Sequence, residues 1–131
     1  SRLSWKTRET FVMSNTGRLR QEAPEVFRND SDPVCRTLDE EALRLTVASA
    51  RASSRGISRV CVHDPDDPLH EMLLVLESGR YIRPHKNCIS TKSFHMLEGI
   101  MDVLWFDEDG NFVGCSRISD RASGHPFSIR L

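Results

Sequence analysis

The pattern of apolar and polar positions changes along the chain, and this change predicts the fold class. From Ser58 onward, short apolar runs are separated by turn-forming residues, and the runs include SRVCVH, HEMLLVLE, MDVLWFD, FVGCSRIS and FSIRL. Runs of about six to eight residues between Ser-Gly and Asp-Gly turns are typical of antiparallel hairpins in a sandwich or barrel. The sequence therefore predicts an all-β fold over residues 57–131.

One stretch before these strands has the periodicity of a helix instead. In TLDEEALRLTVASARASSRG, Thr37 and Glu40 have the spacing of a capping box at a helix N-terminus. Apolar residues then recur three or four positions apart, at Leu38, Ala42, Leu45 and Ala48. The pattern predicts one amphipathic helix within residues 37–56, packed outside the strands and ending before Gly56.

The N-terminal residues show no sustained period. Residues 1–36 mix charged, Ser and Asn residues with scattered aromatic residues, which predicts an extended arm with a short strand near Glu25 to Arg28. The whole chain of 131 residues has the length of one ordinary domain. We therefore expect the arm, the helix and the strands to form a single domain.

Composition excludes several classes of partner. The 18 basic and 19 acidic residues give a formal net charge of -1, so neither nucleic acid nor an anionic membrane surface is an expected partner. The four cysteines form no CxxC pair, which predicts free thiols in a reducing compartment. The apolar runs are far shorter than the roughly 20 residues of a membrane-spanning helix. We expect a cytoplasmic protein without membrane association.

The stretch YIRPHKNCISTKSFHMLEG, residues 81–99, contains most of the candidate site residues. If residues 81–87 form a hairpin with HEMLLVL, alternate side chains of that strand share the face that lines a barrel. The residues on this face are Tyr81, Arg83, His85 and Asn87. His70 precedes the partner strand and is expected at the mouth of the same barrel.

Several of these residues also have a purely structural interpretation. An inward-facing Arg83 needs a carboxylate such as Glu71 or Glu77 if no anionic ligand pairs with it. His63 and His70 flank DPDDPL, where two Asp-Pro steps favour a turn. Side-chain hydrogen bonds that close this loop are the favoured interpretation of the two histidines.

The order of Gly79, His85, Asn87, position 92 and Gly99 resembles the first cupin motif, in which a glycine, an HxH pair, a glutamate and a second glycine recur. The segments RVCVHDPDDPLHEMLLVLESGRYIRPHKN, SFHMLEG, MDVLWFDEDGN and EVFRNDSDPV resemble those of the WbuC-type cupin-fold metalloproteins. These are bacterial proteins often associated with surface-polysaccharide gene clusters. The resemblance covers residues 22–131.

The resemblance implies a cupin-like antiparallel jelly-roll barrel, a homodimer, and a second motif expected beyond Leu131. It also implies a metal site, but Asn87 stands where the family has its second histidine and Lys92 stands where it has glutamate. An amide oxygen is a weak ligand, and a protonated amine has no lone pair. His85 and Asn87 are thus left as candidate ligands for a weakly bound divalent metal, and the alternative is no cofactor.

Three functions follow as hypotheses. The first is a small-molecule-binding cupin for a carbohydrate or anionic ligand in surface-polysaccharide or sugar-nucleotide metabolism, without metal-dependent catalysis. Its predicted binding residues are Tyr81, Arg83, His85, Asn87, Lys92 and His70. The second is a metal-dependent isomerase, epimerase or dioxygenase that uses His85 and a histidine beyond Leu131. The third is a structural or partner-binding module, which a barrel interior filled with side chains would favour.

Overall fold

The structure, a computed structural model, describes residues 19–30, 32–86 and 91–131. These residues form eight β-strands, one α-helix and one short 3-10 turn, which confirms the prediction of a mainly β fold with a single helix. The chain divides into two compact units, Ser1–Tyr81 and Ile82–Leu131.

The first unit contains a four-stranded sheet. Its strands, in their order across the sheet, are β1 (Leu19–Ala23), β2 (Val26–Asn29), β3 (Ile57–Cys61) and β4 (Met72–Leu76). The β1–β2 and β3–β4 pairs are antiparallel, whereas β2 and β3 are parallel and joined through the helix α1 (Glu40–Ala52). The sequence does not predict the parallel pair, since it predicts antiparallel hairpins from Ser58 onward and a short strand within the N-terminal arm. The pair forms because a connection of helix length lets the chain re-enter the sheet in the same direction.

The helix α1 lies within the predicted range, but its N-cap differs from the prediction. The N-cap is Asp39, whose carboxylate accepts a hydrogen bond from the backbone N–H of Ala42 at 2.9 Å. The capping box assigned to Thr37 is therefore wrong, because an aspartate directly before the first turn takes that role. The helix packs against β3 and β4 and buries a stripe of small side chains. This stripe consists of Ala42, Thr46 and Ala50.

The second unit consists of two antiparallel strand pairs. The strand β5 (Ser93–His95) pairs with β8 (Ser128–Arg130), and β6 (Ile100–Phe106) pairs with β7 (Phe112–Ser119). The pairings of the described residues make these two pairs separate sheets. The β6–β7 pair is an antiparallel hairpin of the predicted kind, whereas β5 and β8 pair across the intervening strands, and closure into a jelly-roll barrel stays a prediction.

The turn between β6 and β7 is built around one aspartate. The carboxylate of Asp107 accepts hydrogen bonds from the backbone N–H groups of Asp109 and Asn111 at 3.0 and 2.8 Å. Gly110, between them, has a φ of 83°, a left-handed conformation that favours glycine. The Asp-Gly turn predicted from the sequence is therefore present, with a defined hydrogen-bond pattern.

The prediction of a strand over residues 81–87 is wrong for residues 81–86, the part of this segment that the structure describes. The partner of β4 is β3, and residues 81–86 form no strand. Pro84 lacks a backbone N–H, which removes one donor from the middle of this segment and disfavours a strand ladder. The argument that Tyr81, Arg83 and His85 share one barrel-facing side therefore does not hold.

Two expectations from composition also bear on the described residues. Cys35, Cys61 and Cys115 are free thiols, as predicted, and Cys88 lies outside the described residues. In residues 19–30, 32–86 and 91–131, no helix has the length and apolar character needed to cross a membrane.

Candidate functional site

The structure brings together three of the six predicted site residues, the side chains of His85 and Lys92 and the backbone of Arg83. The Nζ atom of Lys92 lies 3.0 Å from Nε2 of His85, and both residues belong to the second unit. Tyr81 and His70 belong to the first unit. Asn87, predicted as a ligand-binding and metal-binding residue, lies outside the described residues.

Both nitrogens of the His85 ring have partners. Nδ1 lies 3.1 Å from the backbone oxygen of Arg83, and Nε2 lies 3.0 Å from Nζ of Lys92. A protonated lysine can only donate, so Nε2 accepts, and the proton of the neutral ring sits on Nδ1 and points to the Arg83 carbonyl. One tautomer of His85 therefore satisfies both contacts.

The backbone of Lys92 is fixed by an extension of the β5–β8 pair. Its N–H donates to the carbonyl of Leu131 at 3.0 Å, and its carbonyl accepts from the N–H of Leu131 at 2.8 Å. Lys86, by contrast, is exposed and pairs with Glu108 at 2.6 Å. Within the described part of the second unit, no carboxylate forms an ion pair with Lys92 or Arg83. The Lys92 and Arg83 side chains thus have no carboxylate partner in that part of the chain.

The contact between Lys92 and His85 changes which ligands this site can bind. A metal ion would need the Nε2 lone pair of His85, and the Lys92 ammonium occupies that lone pair. In the part of the chain that the structure describes, no group of three His, Cys, Asp or Glu side chains has the geometry to hold a metal. An ammonium with free N–H groups can instead hold a carboxylate or a phosphate.

A second polar cluster lies in the loop that joins β3 to β4 in the first unit. The His63 ring is 8% exposed and stacks on the His70 ring, with centroids 4.1 Å apart and planes inclined by 8°. The backbone N–H of Glu71 donates to Nδ1 of His63 at 3.0 Å. The predicted closure of this loop by a side-chain hydrogen bond is confirmed for His63, and His70 contributes its ring to the stack.

A buried arginine holds one end of this loop. The guanidinium of Arg28, on β2, donates to the backbone carbonyl of His63 and to both carboxylate oxygens of Glu22, at 2.9 and 3.1 Å. The hydrogen bond from Arg28 lowers the pKa of the Glu22 carboxyl from its ordinary value. Sequence reasoning missed Arg28 as a site residue, because its main partner in the loop is a backbone atom that no motif reveals.

A second arginine also binds the first residues of this loop. Arg36 donates to the carbonyl of Val62 at 2.9 Å and pairs with Asp64 at 3.0 Å. The hydrogen bond with Asp64 raises the pKa of Arg36. Two shallow cavities of about 270 and 290 Å³ adjoin here, and both are lined by Val62, Asp67 and Glu71. The loop therefore lines a small open volume with carboxylates and an imidazole beside the apolar side chains of Pro68 and Leu69.

The profile of a family described as a domain of unknown function (DUF6016) matches residues 38–118, which is more than half of the chain. The chain belongs to this family. The match includes the His85–Lys92 pair and the whole β3–β4 loop, so both clusters lie inside the DUF6016 domain. The chain matches no curated protein and no solved structure.

Proposed function

We propose that this DUF6016 protein is a cupin-like small-molecule-binding protein in which an ammonium takes the place of the cupin metal. The observation that carries the proposal is the 3.0 Å contact between Nζ of Lys92 and Nε2 of His85. In the first cupin motif these two positions carry a histidine and a glutamate that bind the metal together. Their proximity in this chain supports the same convergence of side chains, with a different occupant.

The charges around the pair support an anionic ligand. Lys92 has three N–H donors and uses one of them on His85, so two are left for a ligand. The guanidinium of Arg83 has no carboxylate partner in the described part of its unit, and its backbone carbonyl already contacts His85. A carboxylate or phosphate group suits both cations. The proposed ligand is an anionic carbohydrate or sugar nucleotide of surface-polysaccharide metabolism.

The remaining parts of the proposal follow from the resemblance. In it the strands close into a jelly-roll barrel, and the protein acts in the cytoplasm as a homodimer without metal-dependent catalysis. The antiparallel β5–β8 and β6–β7 pairs are the feature of the described fold that supports the barrel.

Restoring the family's ligands tests the loss of metal. The double variant Asn87→His, Lys92→Glu recreates the HxH pair and the glutamate, and we expect it to bind Ni²⁺ or Zn²⁺ at one equivalent in elemental analysis and titration calorimetry. The control, Asn87→His with Lys86→Glu, has the same charge change at a neighbouring lysine, and we expect it to bind no better than wild type. A wild type that holds metal as tightly as the restored variant would contradict the proposal.

A ligand titration tests the anion site. We expect calorimetry to show binding of UDP-glucose and no binding of glucose, with inorganic phosphate as a probe of the anionic group alone. Lys92→Met removes a charge-assisted hydrogen bond and is expected to weaken binding by about tenfold or more. Lys86→Met is the matched control and should bind like wild type. Equal affinities of the two variants for UDP-glucose would refute an anion site at Lys92.

A partner-binding module, acting as a homodimer, is a second candidate because of one face of the β6–β7 pair. Ile100 and Leu104 are 57% and 52% exposed there, on either side of Asp102 along β6. Asp102 forms a two-point ion pair with Arg117, directly opposite on β7, at 2.7 and 2.9 Å. A face that carries both signs of charge between apolar residues is complementary to a second copy of itself.

The test of this candidate is a charge exchange. Arg117→Asp places two carboxylates opposite each other and is expected to yield a monomer in light scattering. The double variant Asp102→Arg, Arg117→Asp restores the pair in reverse and should restore the dimer. A wild type that is monomeric at high concentration would rule out this candidate.

A further inference from the structure

The Nδ1 atom of His63 faces both backbone polar groups of one residue. It lies 3.0 Å from the nitrogen of Glu71 and 2.9 Å from its carbonyl oxygen. While Nδ1 keeps its lone pair, it accepts from the Glu71 N–H, and the ring proton sits on Nε2. Once Nδ1 carries a proton, it can only donate to the carbonyl. Protonation of His63 therefore exchanges one loop-closing hydrogen bond for another.

The His70 ring makes a second proton unfavourable. Its centroid lies 4.1 Å from that of His63, and the two planes are nearly parallel. Two imidazolium rings at this distance repel each other; His63 is only 8% exposed, whereas His70 is exposed, so water screens this repulsion from one side only. The stack is compatible with two neutral rings or with one protonated ring, but protonation of both rings separates it.

The other titratable groups around the loop carry both signs of charge, so they have opposing effects on protonation of the His63 and His70 rings. They are Asp64, Asp66, Asp67 and Glu71 in the loop, Cys61 on β3, Arg28 and Glu22 from the β1–β2 hairpin, and Arg36. Arg36 and Arg28 are paired with Asp64 and Glu22 respectively. Asp67 and Glu71 form no ion pair in the described residues, so they favour a first proton on the imidazole pair. Neither carboxylate removes the repulsion that a second proton introduces.

We propose that the stacked His63 and His70 rings form a proton-sensitive latch on the loop of residues 62–71. With neutral rings the latch is closed, the Glu71 N–H is bound to His63, and the loop lines its two cavities. When both rings are protonated, the stack separates, the loop opens, and the hydrogen bond from the Val62 N–H to the Glu71 carbonyl breaks. This latch lies in the first unit and is independent of the anion site proposed above.

Nuclear magnetic resonance of the whole chain tests the latch. Ring nitrogen spectra at about pH 7.5 are expected to show His63 as the Nε2–H tautomer. The Val62 N–H donates to the Glu71 carbonyl at 3.1 Å across the base of the loop, so its exchange reports opening of the loop and not the exchange of partners at His63. The protection factor of the Val62 amide against hydrogen exchange, corrected for intrinsic rates, is expected to fall about tenfold or more between pH 7.5 and 5. His70→Phe keeps a stacked ring without a charge, and its Val62 protection should change by less than about twofold over the same range. His125→Phe changes an exposed histidine of the second unit and should behave like wild type.

Three outcomes would overturn the latch. The first is a Val62 protection factor in wild type that is the same at both pH values. The second is a His70→Phe variant that loses protection on acidification as wild type does. The third is a neutral His63 ring with its proton on Nδ1, a measurement on wild type that decides the matter even if His70→Phe does not fold.

Discussion

Replacing Arg28 by methionine tests whether a buried guanidinium holds the β3–β4 loop in place. The Arg28 side chain is 7% exposed and donates to the His63 carbonyl and to two oxygens of Glu22. Methionine has a similar apolar stem and fills the same space flexibly, but it has no donor. The variant therefore removes the hydrogen bonds with little change in packing.

The expected loss in unfolding free energy depends on how far the two acceptors of Arg28, the His63 carbonyl and the Glu22 carboxylate, are exposed to water. The His63 carbonyl belongs to a residue that is 8% exposed, and leaving such an acceptor without its donor costs about 1–3 kcal/mol. The Glu22 side chain is 33% exposed, so water replaces much of what its carboxylate loses. We expect Arg28→Met to lower the free energy of unfolding by about 2 kcal/mol, almost all of it from the loop carbonyl.

Urea unfolding followed by circular dichroism measures this change. The control is Arg20→Met on the neighbouring strand β1, because Arg20 is 54% exposed and pairs with Asp30 at 2.6 Å and with Glu22 at 3.8 Å. An exposed pair of this kind contributes little, so the control should unfold close to wild type. Equal losses in the two variants, or an Arg28→Met variant with the wild-type midpoint, would refute the argument that burial decides the cost.

Three further changes have defined outcomes. Arg28 lowers the pKa of Glu22, so this carboxylate stabilises the fold above its ordinary pKa and loses that effect as the pH falls through the lowered value. The difference in unfolding free energy between wild type and Glu22→Gln, measured at several pH values, should therefore shrink on acidification. Gly114→Ala places a Cβ 2.5 Å from the Trp105 ring, which must shift, so we expect a lower melting temperature and altered tryptophan fluorescence. Thr46→Val removes a buried hydroxyl that donates at 2.6 Å to a carbonyl one helical turn earlier, and thermal unfolding should show a loss of about 1 kcal/mol.

The sequence predicts elements whose signals are local. The β6–β7 pair could be predicted because apolar runs flank an Asp-Gly turn, and turn chemistry acts over four or five residues. The helix could be predicted from its periodicity, although Asp39 and Thr37 are both good N-caps and the choice between them depends on where the chain enters the turn. The parallel β2–β3 pair could not, because nothing local indicates which strand a crossover will join.

The candidate site was predictable only through the motif spacing. The proximity of His85 and Lys92 agrees with that spacing, whereas the strand alternation that was meant to explain it fails at Pro84. The positions of Arg28 and Arg36 could not be predicted, because both bind backbone carbonyls in a loop far along the chain. A backbone acceptor is present at every residue, so the sequence does not single out the ones that are used.

The parallel pairing of β2 with β3 has a consequence for the nascent chain. Val26 and Arg59 come together only after the whole of α1 has been synthesised between them, so the β1–β2 hairpin must wait with one edge unpaired. An unpaired edge can recruit strands from other molecules. The β6–β7 hairpin needs no such delay, since its turn brings both strands together at once. Slow translation across α1 would therefore lengthen the period in which the first unit is prone to aggregate, and would leave the second unit unaffected.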